Sequence, residues 1–351
     1  MVASDCYLDT YKSYENTYVF MYIRDYVSQQ LINSKLMPGK LRIEASTVCQ
    51  LDCRSCYMRK NNNGTMGKGF LSFENFKKLI DENSFVREIE LSNSGEIFLN
   101  PDLIKIVKYA HEHEVKLTAL NGVNFNNVTE LQLEALVKYK FCSLMISIDG
   151  ASPGVYEFYR QKGNYTTVIN NIKRLIEIKK RYNSDVPKIV WQYIIMEHNE
   201  LDVVLAKETA NSLGIPIWFK LTWNDEYVPH NRELLERETG LTVFNRNEYL
   251  HKMSKVYLGS TVCNQLFLSP QINWDGRLLG CCEVYMEDYG VNVFDVGLRN
   301  ALKSPNFIAA KKFLLSNERS QNHNAQMPCA SCLKKLKMQE VNEKLEPFKD
   351  I

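Results

Sequence analysis

No apolar run in this chain is long enough to cross a membrane. The longest, such as Tyr18 to Ile23, fall far short of the ~20 residues a spanning helix needs. A charge surplus is also missing. Forty-three Lys and Arg stand against forty-one Asp and Glu, a net of +2, which gives no electrostatic case for a nucleic-acid or membrane partner. Met1 to Thr10 has no basic stretch followed by an apolar one, so no signal peptide is visible and a cytoplasmic location is expected. Internal repeats and low-complexity segments are absent, which excludes solenoids and collagen-like chains. The remaining composition, 45% hydrophobic and 24% charged, is that of an ordinary globular protein. A length of 351 residues can bury a full core and suggests about two domains.

Cysteine is what the sequence does have. Ten are present, and in a reducing compartment clustered thiols point to metal binding or catalysis rather than disulfides. Seven fall into two groups with metal-ligand spacing: Cys49, Cys53 and Cys56, then Cys263, Cys281, Cys329 and Cys332. The other three are Cys6, Cys142 and Cys282.

From 41 to 223, short β-rich runs alternate with amphipathic helical patterns. Strands are predicted over Leu41–Ala45, Val86–Asn93, Val115–Leu120, Phe141–Ile148, Lys188–Met196 and Ile215–Thr222. Helices are predicted over Ser72–Glu82, from Asn100 with Pro101 at its first position, over Thr129–Tyr139, from Val168 to Tyr182, and over Leu201–Leu213. Six strand–helix alternations imply parallel strands with right-handed crossovers, and chemistry at the C-terminal strand ends. The expected class is α/β with a small C-terminal cysteine-bearing domain; open doubly wound sheets and closed or partial barrels both fit the pattern. Its expected divisions are a helical extension over 1–40, the core over 41–223, a connector over 224–260, a cysteine-bearing domain over 261–340 and a charged tail over 341–351.

The first cysteine group, Cys49-Gln-Leu-Asp-Cys53-Arg-Ser-Cys56, directly follows the first strand. Three thiolates at this spacing can wrap one face of a 4Fe–4S cluster, which usually takes four. One iron then keeps an open site, as catalytic metal centres do. A zinc site is the alternative, but zinc closes with four ligands and three local cysteines suit it poorly.

With these residues in view, the segment from 41 to 223 resembles the radical S-adenosylmethionine enzymes, and the resemblance implies a partial (β/α)6 barrel. Further stretches match the family's motifs. Ser94-Gly95-Glu96 resembles the stretch that holds the cofactor's amino group, with Ser94 and Ile97 replacing the usual Gly and Pro. Asn121-Gly122 resembles the family's Thr-Asn-Gly. Ser147-Ile148-Asp149-Gly150 resembles its Ser-x-Asp-Gly. Arg160 resembles the arginine that reaches the cofactor's carboxylate, and Asn199 a residue near the adenosine. The family usually has an aromatic residue just before the third cysteine, beside the adenine. Here Ser55 holds that position and Tyr57 follows Cys56. The resemblance implies that S-adenosylmethionine chelates the open iron and is cleaved to a 5′-deoxyadenosyl radical, which takes a hydrogen atom from the substrate. An electron donor such as flavodoxin or ferredoxin is implied too.

Cys263, Cys281, Cys329 and Cys332 offer a closed set of four thiolates, for zinc or a complete cluster. The run from Cys263 through Asn273-Trp274-Asp275-Gly276 to Cys281-Cys282, with Cys329-Ala-Ser-Cys332, resembles the short "twitch" form of the SPASM domain. The resemblance implies one auxiliary 4Fe–4S cluster, closed and suited to electron transfer. Asp275-Gly276 is a plausible hairpin turn.

Candidate catalytic residues are few. Cys282 and Cys142 are possible hydrogen-atom donors, with a buried thiol as the simpler reading of each. Asp225, Glu226 and His230 follow the sixth strand, near the expected substrate mouth. Gly64-x-x-Gly67-x-Gly69 follows no strand and reads as a loop.

Three activities survive. One is dehydrogenation of a carbinol carbon, of a sugar or cyclitol type, with the auxiliary cluster taking an electron. The second is thioether or carbon–carbon crosslinking of a ribosomal peptide, for which forty residues before Leu41 are too few to form the usual leader-binding domain. The third is epimerisation with a cysteine hydrogen donor. A zinc-stabilised binding module is the non-enzymatic alternative.

Overall fold

The computed structural model describes residues 37–60, 64–222, 225–245, 248, 265–281, 287–315 and 327–332. The N-terminal extension, the charged tail, Cys6, Cys263 and Cys282 lie outside them.

All six predicted strands form: β1 (Lys40–Ile43), β2 (Glu88–Glu90), β3 (Lys116–Val123), β4 (Ser143–Ser147), β5 (Lys188–Ile195) and β6 (Ile217–Leu221). They lie side by side in chain order and all pair in parallel. A seventh strand, β7 (Gln271–Ile272), adds in parallel to the free edge of β1. The cysteine-bearing segment therefore contributes a strand to the same open sheet. Helices α1 (Phe73–Glu82), α2 (Leu103–Glu112), α3 (Glu130–Lys138), α4 (Pro153–Tyr159), α5 (Tyr165–Arg181) and α6 (Val203–Leu213) fill the crossovers.

Local chemistry sets the helix starts. The Ser72 side chain accepts from the Asn75 N–H, and Thr129 forms a capping box with Gln132. Asn100 caps through its Oδ1, which accepts from the Asp102 N–H (2.8 Å), while its buried Nδ2 donates to the carbonyls of Ala45 and Leu71; the regular turns of α2 begin at Leu103. The short helix α4, led by Pro153, had no periodic signal to predict it.

The strands alternate strictly between two environments. Leu41, Ile43, Ile89, Leu117, Leu144, Ile146, Ile189, Trp191, Tyr193 and Ile195 are buried in one apolar cluster with the helices. Each buried Leu or Ile contributes on the order of 1.5–3 kcal/mol. The opposite face is mixed. Beside the apolar Met145, Val190 and Ile194 it carries Arg42, Glu90, Thr118, Ser147, Gln192 and Lys220, joined by Thr118 to Glu90 (2.7 Å), Gln192 to Ser147 (2.9 Å) and Lys220 to Gln192 (2.6 Å). Parallel sheets are usually apolar on both faces, so this hydrogen-bonded row of polar side chains marks a candidate site.

Candidate functional site

Three chain segments meet at the C-terminal end of this sheet. The loop carrying Cys49, Cys53 and Cys56 leaves β1 there. It is pinned by backbone bonds from Gly95 N–H to Ser46 O (3.0 Å) and Glu96 N–H to Val48 O (2.8 Å). Gly95 must be glycine, because a Cβ would stand 2.4 Å from the Ser46 carbonyl. On its far side the loop is tied to the end of α4. Asp52 N–H donates to Gln161 O (2.9 Å), Arg54 N–H to Tyr159 O (3.2 Å) and Arg54 Nε to Phe158 O (2.7 Å).

Arg160 and Asp149 form the charged centre. The Asp149 carboxylate is completely buried and accepts from Arg160 Nη2 (2.5 Å) and Nε (2.7 Å). Its other oxygen accepts from the Ile194 N–H (2.8 Å). Arg160 Nη1 lies 4.0 Å from Cys53 Sγ. Burial raises the Cys53 thiol above its ordinary value, and the Arg160 charge opposes that rise. Asn124 Nδ2 donates to Cys49 Sγ at 3.6 Å.

The other motif residues hold this frame. Glu96 is buried and raised to about 7 by desolvation; its two oxygens accept from the N–H groups of Phe98 and Asn124. Asn121 accepts from Arg42 (3.4 Å) and donates to Asn93 (2.9 Å). Gly122, at φ +118°, lets β3 approach β4, since a Cβ there would sit 2.2 Å from Ser147 Oγ. Asn199 accepts from the Met196 N–H and donates to the carbonyls of Ile194 and Asp149, which locks the end of β5. Tyr57 packs beside Met58, Met66 and Leu279, and its hydroxyl meets Ser94 Oγ at 2.8 Å.

Three residues of this region escaped the sequence reading. Ser55 Oγ is hydrogen-bonded to Tyr159 Oη, which brings an aromatic ring beside the third cysteine after all. The His198 ring stacks on Tyr159 at 5.6 Å, and both its nitrogens are buried without a hydrogen-bond partner. Glu44, directly after β1, is a fully buried carboxyl. Among the weaker candidates, Cys142 precedes the first residue of β4, at the opposite end of that strand from Asp149, and it is disulfide-bonded, which corrects its reading as a free thiol and as a hydrogen-atom donor. Asp225 and Glu226 lie in a short turn after β6.

In the second group, Cys281 and Cys329 are buried and Cys332 is half-buried. The turn Asn273–Arg277 forms as expected, with Asn273 N–H donating to Arg277 O and Gly276 at φ +95°. Tyr289 links the parts: its ring presses on Gly280, next to Cys281, and its hydroxyl meets Cys329 Sγ at 3.2 Å.

Thiolates suit iron, and the residues around Cys53 provide what a cluster and an anionic ligand need: grouped thiols and a guanidinium held beside them. Among the described residues, no three His, Cys, Asp or Glu side chains converge on the position of a single metal ion.

Comparison with known proteins agrees with this geometry. No curated protein matches the sequence. Streptococcus suis SuiB bound to S-adenosylmethionine shares the fold at 16% identity, with 86% of this chain and 72% of that chain covered and a TM-score of 0.59. SuiB bound to its precursor peptide SuiA shares it at 14% identity over 99% of this chain and 81% of that one, TM-score 0.61. BtrN in complex with AdoMet and 2-DOIA aligns at 12% identity over 85% and 94%, TM-score 0.48. Residues 43–188, less than half of the chain, match the Radical SAM superfamily, and this stretch, which contains the cysteine loop and Arg160, is similar to radical SAM domains.

Proposed function

We propose that this protein is a radical S-adenosylmethionine enzyme that oxidises a carbinol carbon of a small polyhydroxylated substrate, of a sugar or cyclitol type. The observation that carries the reading is the juxtaposition of the cysteine loop and Arg160 with a sheet face that carries a hydrogen-bonded row of polar side chains, Ser147, Gln192 and Lys220 among them. Cys49, Cys53 and Cys56 would hold a 4Fe–4S cluster, and Arg160 would hold the carboxylate of S-adenosylmethionine by charge-assisted bonds. When bound, cluster and cofactor supply a 5′-deoxyadenosyl radical that takes a hydrogen atom from the substrate.

The chain's own part is to seat these groups. Asp149 keeps Arg160 oriented and charged. Glu96 rigidifies the segment that borders the cofactor by tying together the N–H groups of Phe98 and Asn124. Arg42, Asn121, Gln192 and Lys220 present donors and acceptors suited to hydroxyl groups. Burial lowers Lys220 to about 8, so it is a basic group on this face that can exchange a proton near neutral pH. Cys281, Cys329 and Cys332, with Cys263 from outside the described residues, would hold an auxiliary cluster that takes the second electron.

Tyr159 and His198 would receive the adenine. Tyr159→Leu is expected to weaken S-adenosylmethionine binding roughly tenfold, the scale of one lost base–aromatic stack. Tyr159→Phe keeps the ring and should stay near wild type. Equilibrium dialysis of the anaerobic protein against labelled cofactor measures both.

The main reading is tested by anaerobic reconstitution followed by iron and sulfide analysis and product mass. About eight irons per chain are expected for two 4Fe–4S clusters, against about four for one. A product lighter than its substrate by two hydrogens supports dehydrogenation. Peptide crosslinking is the second reading, favoured by the fold shared with SuiB, which binds a precursor peptide. A crosslinked peptide product would replace the first reading with it. Unchanged mass in light water, with one solvent deuterium gained in heavy water, would indicate epimerisation.

A further inference from the structure

Glu44 is the most unusual buried group of the sheet. It follows β1 immediately and has no exposed surface. Its Oε1 accepts from Ser94 Oγ (3.1 Å) and from Gln271 Nε2 (2.6 Å). Its Oε2 has no partner, and neither has the Oε1 of Gln271, both atoms being buried. Two orphan acceptors therefore belong to the two partners of one existing N–H···O bond. That pattern is what an acid–amide pair looks like when its acid proton is left out. In such a pair the amide N–H donates to the acid carbonyl while the acid O–H donates to the amide carbonyl.

We propose that Glu44 stands as the neutral acid, its Oε2–H donating to Gln271 Oε1, and that this pair is a positioning contact between the two cysteine groups. The hydrogen-bonded path is continuous. Tyr57, next to Cys56, meets Ser94 Oγ, which donates to Glu44. Glu44 holds the Gln271 side chain, and the main-chain carbonyl of Gln271 accepts from the N–H groups of Leu279 (2.9 Å) and Gly280 (3.0 Å), directly before Cys281. Contact across 227 residues thus ties β1 to the strand that delivers Cys281.

The surrounding charges fit a neutral acid. Arg42 on β1 favours the ionised form and Glu90 on β2 opposes it, while β7 and the residue after it bring the amides of Gln271 and Asn273. Desolvation dominates and raises the carboxyl from 4.5 to about 8. The folded protein then holds a proton that the unfolded chain releases between those values, so the stability contributed here falls as pH rises from roughly 4.5 to 8.

The bridging role rests on the auxiliary-cluster reading; the protonation of Glu44 does not. Three measurements on the anaerobic holoprotein test the proposal. The infrared difference spectrum of wild type minus Glu44→Gln should show a protonated carboxyl C=O band at pH 7 that disappears above pH 8–9. From pH 6 to 9, the wild-type Tm should fall relative to Glu44→Gln, whose amide can rebuild the pair without titrating. Reduced-cluster EPR spectra should change through the same pH range in wild type and stay constant in Glu44→Gln. Glu44→Leu, which cannot rebuild the pair, should lose iron from the second cysteine group. No carboxyl band at pH 7, or equal Tm changes in wild type and Glu44→Gln, overturns the acid–amide pair. About four irons per wild-type chain, with the band present, would overturn the auxiliary cluster and the bridging role together, and leave the pair standing.

Discussion

Cys53→Ala is expected to abolish reductive cleavage of S-adenosylmethionine and to remove about four irons per chain, with the fold unchanged. The thiol is half-buried in a loop held by backbone bonds at both ends, so its loss leaves a small gap rather than a broken element. Two thiolates cannot hold a cuboidal cluster against exchange with solvent. Chromatography of 5′-deoxyadenosine after anaerobic incubation with dithionite measures the first effect, and iron analysis the second. The four-cysteine group keeps its own iron, so about four irons should remain. Cleavage at the wild-type rate in Cys53→Ala would remove this loop from the chemistry.

The second large effect concerns stability. Asp149→Asn is expected to destabilise the protein by about 3–5 kcal/mol, the usual result of breaking one partner out of a buried ion pair. Arg160 is only 13% exposed at its side chain and Asp149 not at all, so solvent does little to screen the loss. The substituted amide can still accept from Ile194. Turned that way, it aims its NH₂ group at a guanidinium that has only donors. The guanidinium is left charged, buried and poorly oriented. Urea unfolding should show the shift, and S-adenosylmethionine binding should weaken with it, since Arg160 serves both. Arg160→Lys is the informative companion. It keeps a charge but not the two-pronged contact to Asp149, and should lose more cofactor affinity than stability. A change below about 1 kcal/mol in Asp149→Asn would mean that Arg160 escapes to water, as exposed ion pairs allow.

The alternation of β-branched runs with amphipathic helices determined six parallel strands, while their order, open between a doubly wound sheet and a barrel, was decided by the tertiary structure. Local rules suffice for the strands themselves: a period of 2 or 3.6, a capping serine or threonine, and short right-handed crossovers. The spacing of Cys49, Cys53 and Cys56 was legible for the same reason, because the three lie within one loop. Tertiary structure alone decided the rest. Ser55 looked like the loss of an aromatic contact until Tyr159, 104 residues away, closed onto it. Asn199 resembled a residue near the adenosine, and the structure adds that three backbone groups take up its amide. Glu44 fell inside the predicted strand Leu41–Ala45 with no role assigned, and its amide partner, Gln271, arrives from 227 residues away. Sequence patterns record which face of an element avoids water, and burial then follows for apolar side chains. The surroundings of a polar side chain depend on which distant segment packs over it, and no local pattern encodes that choice.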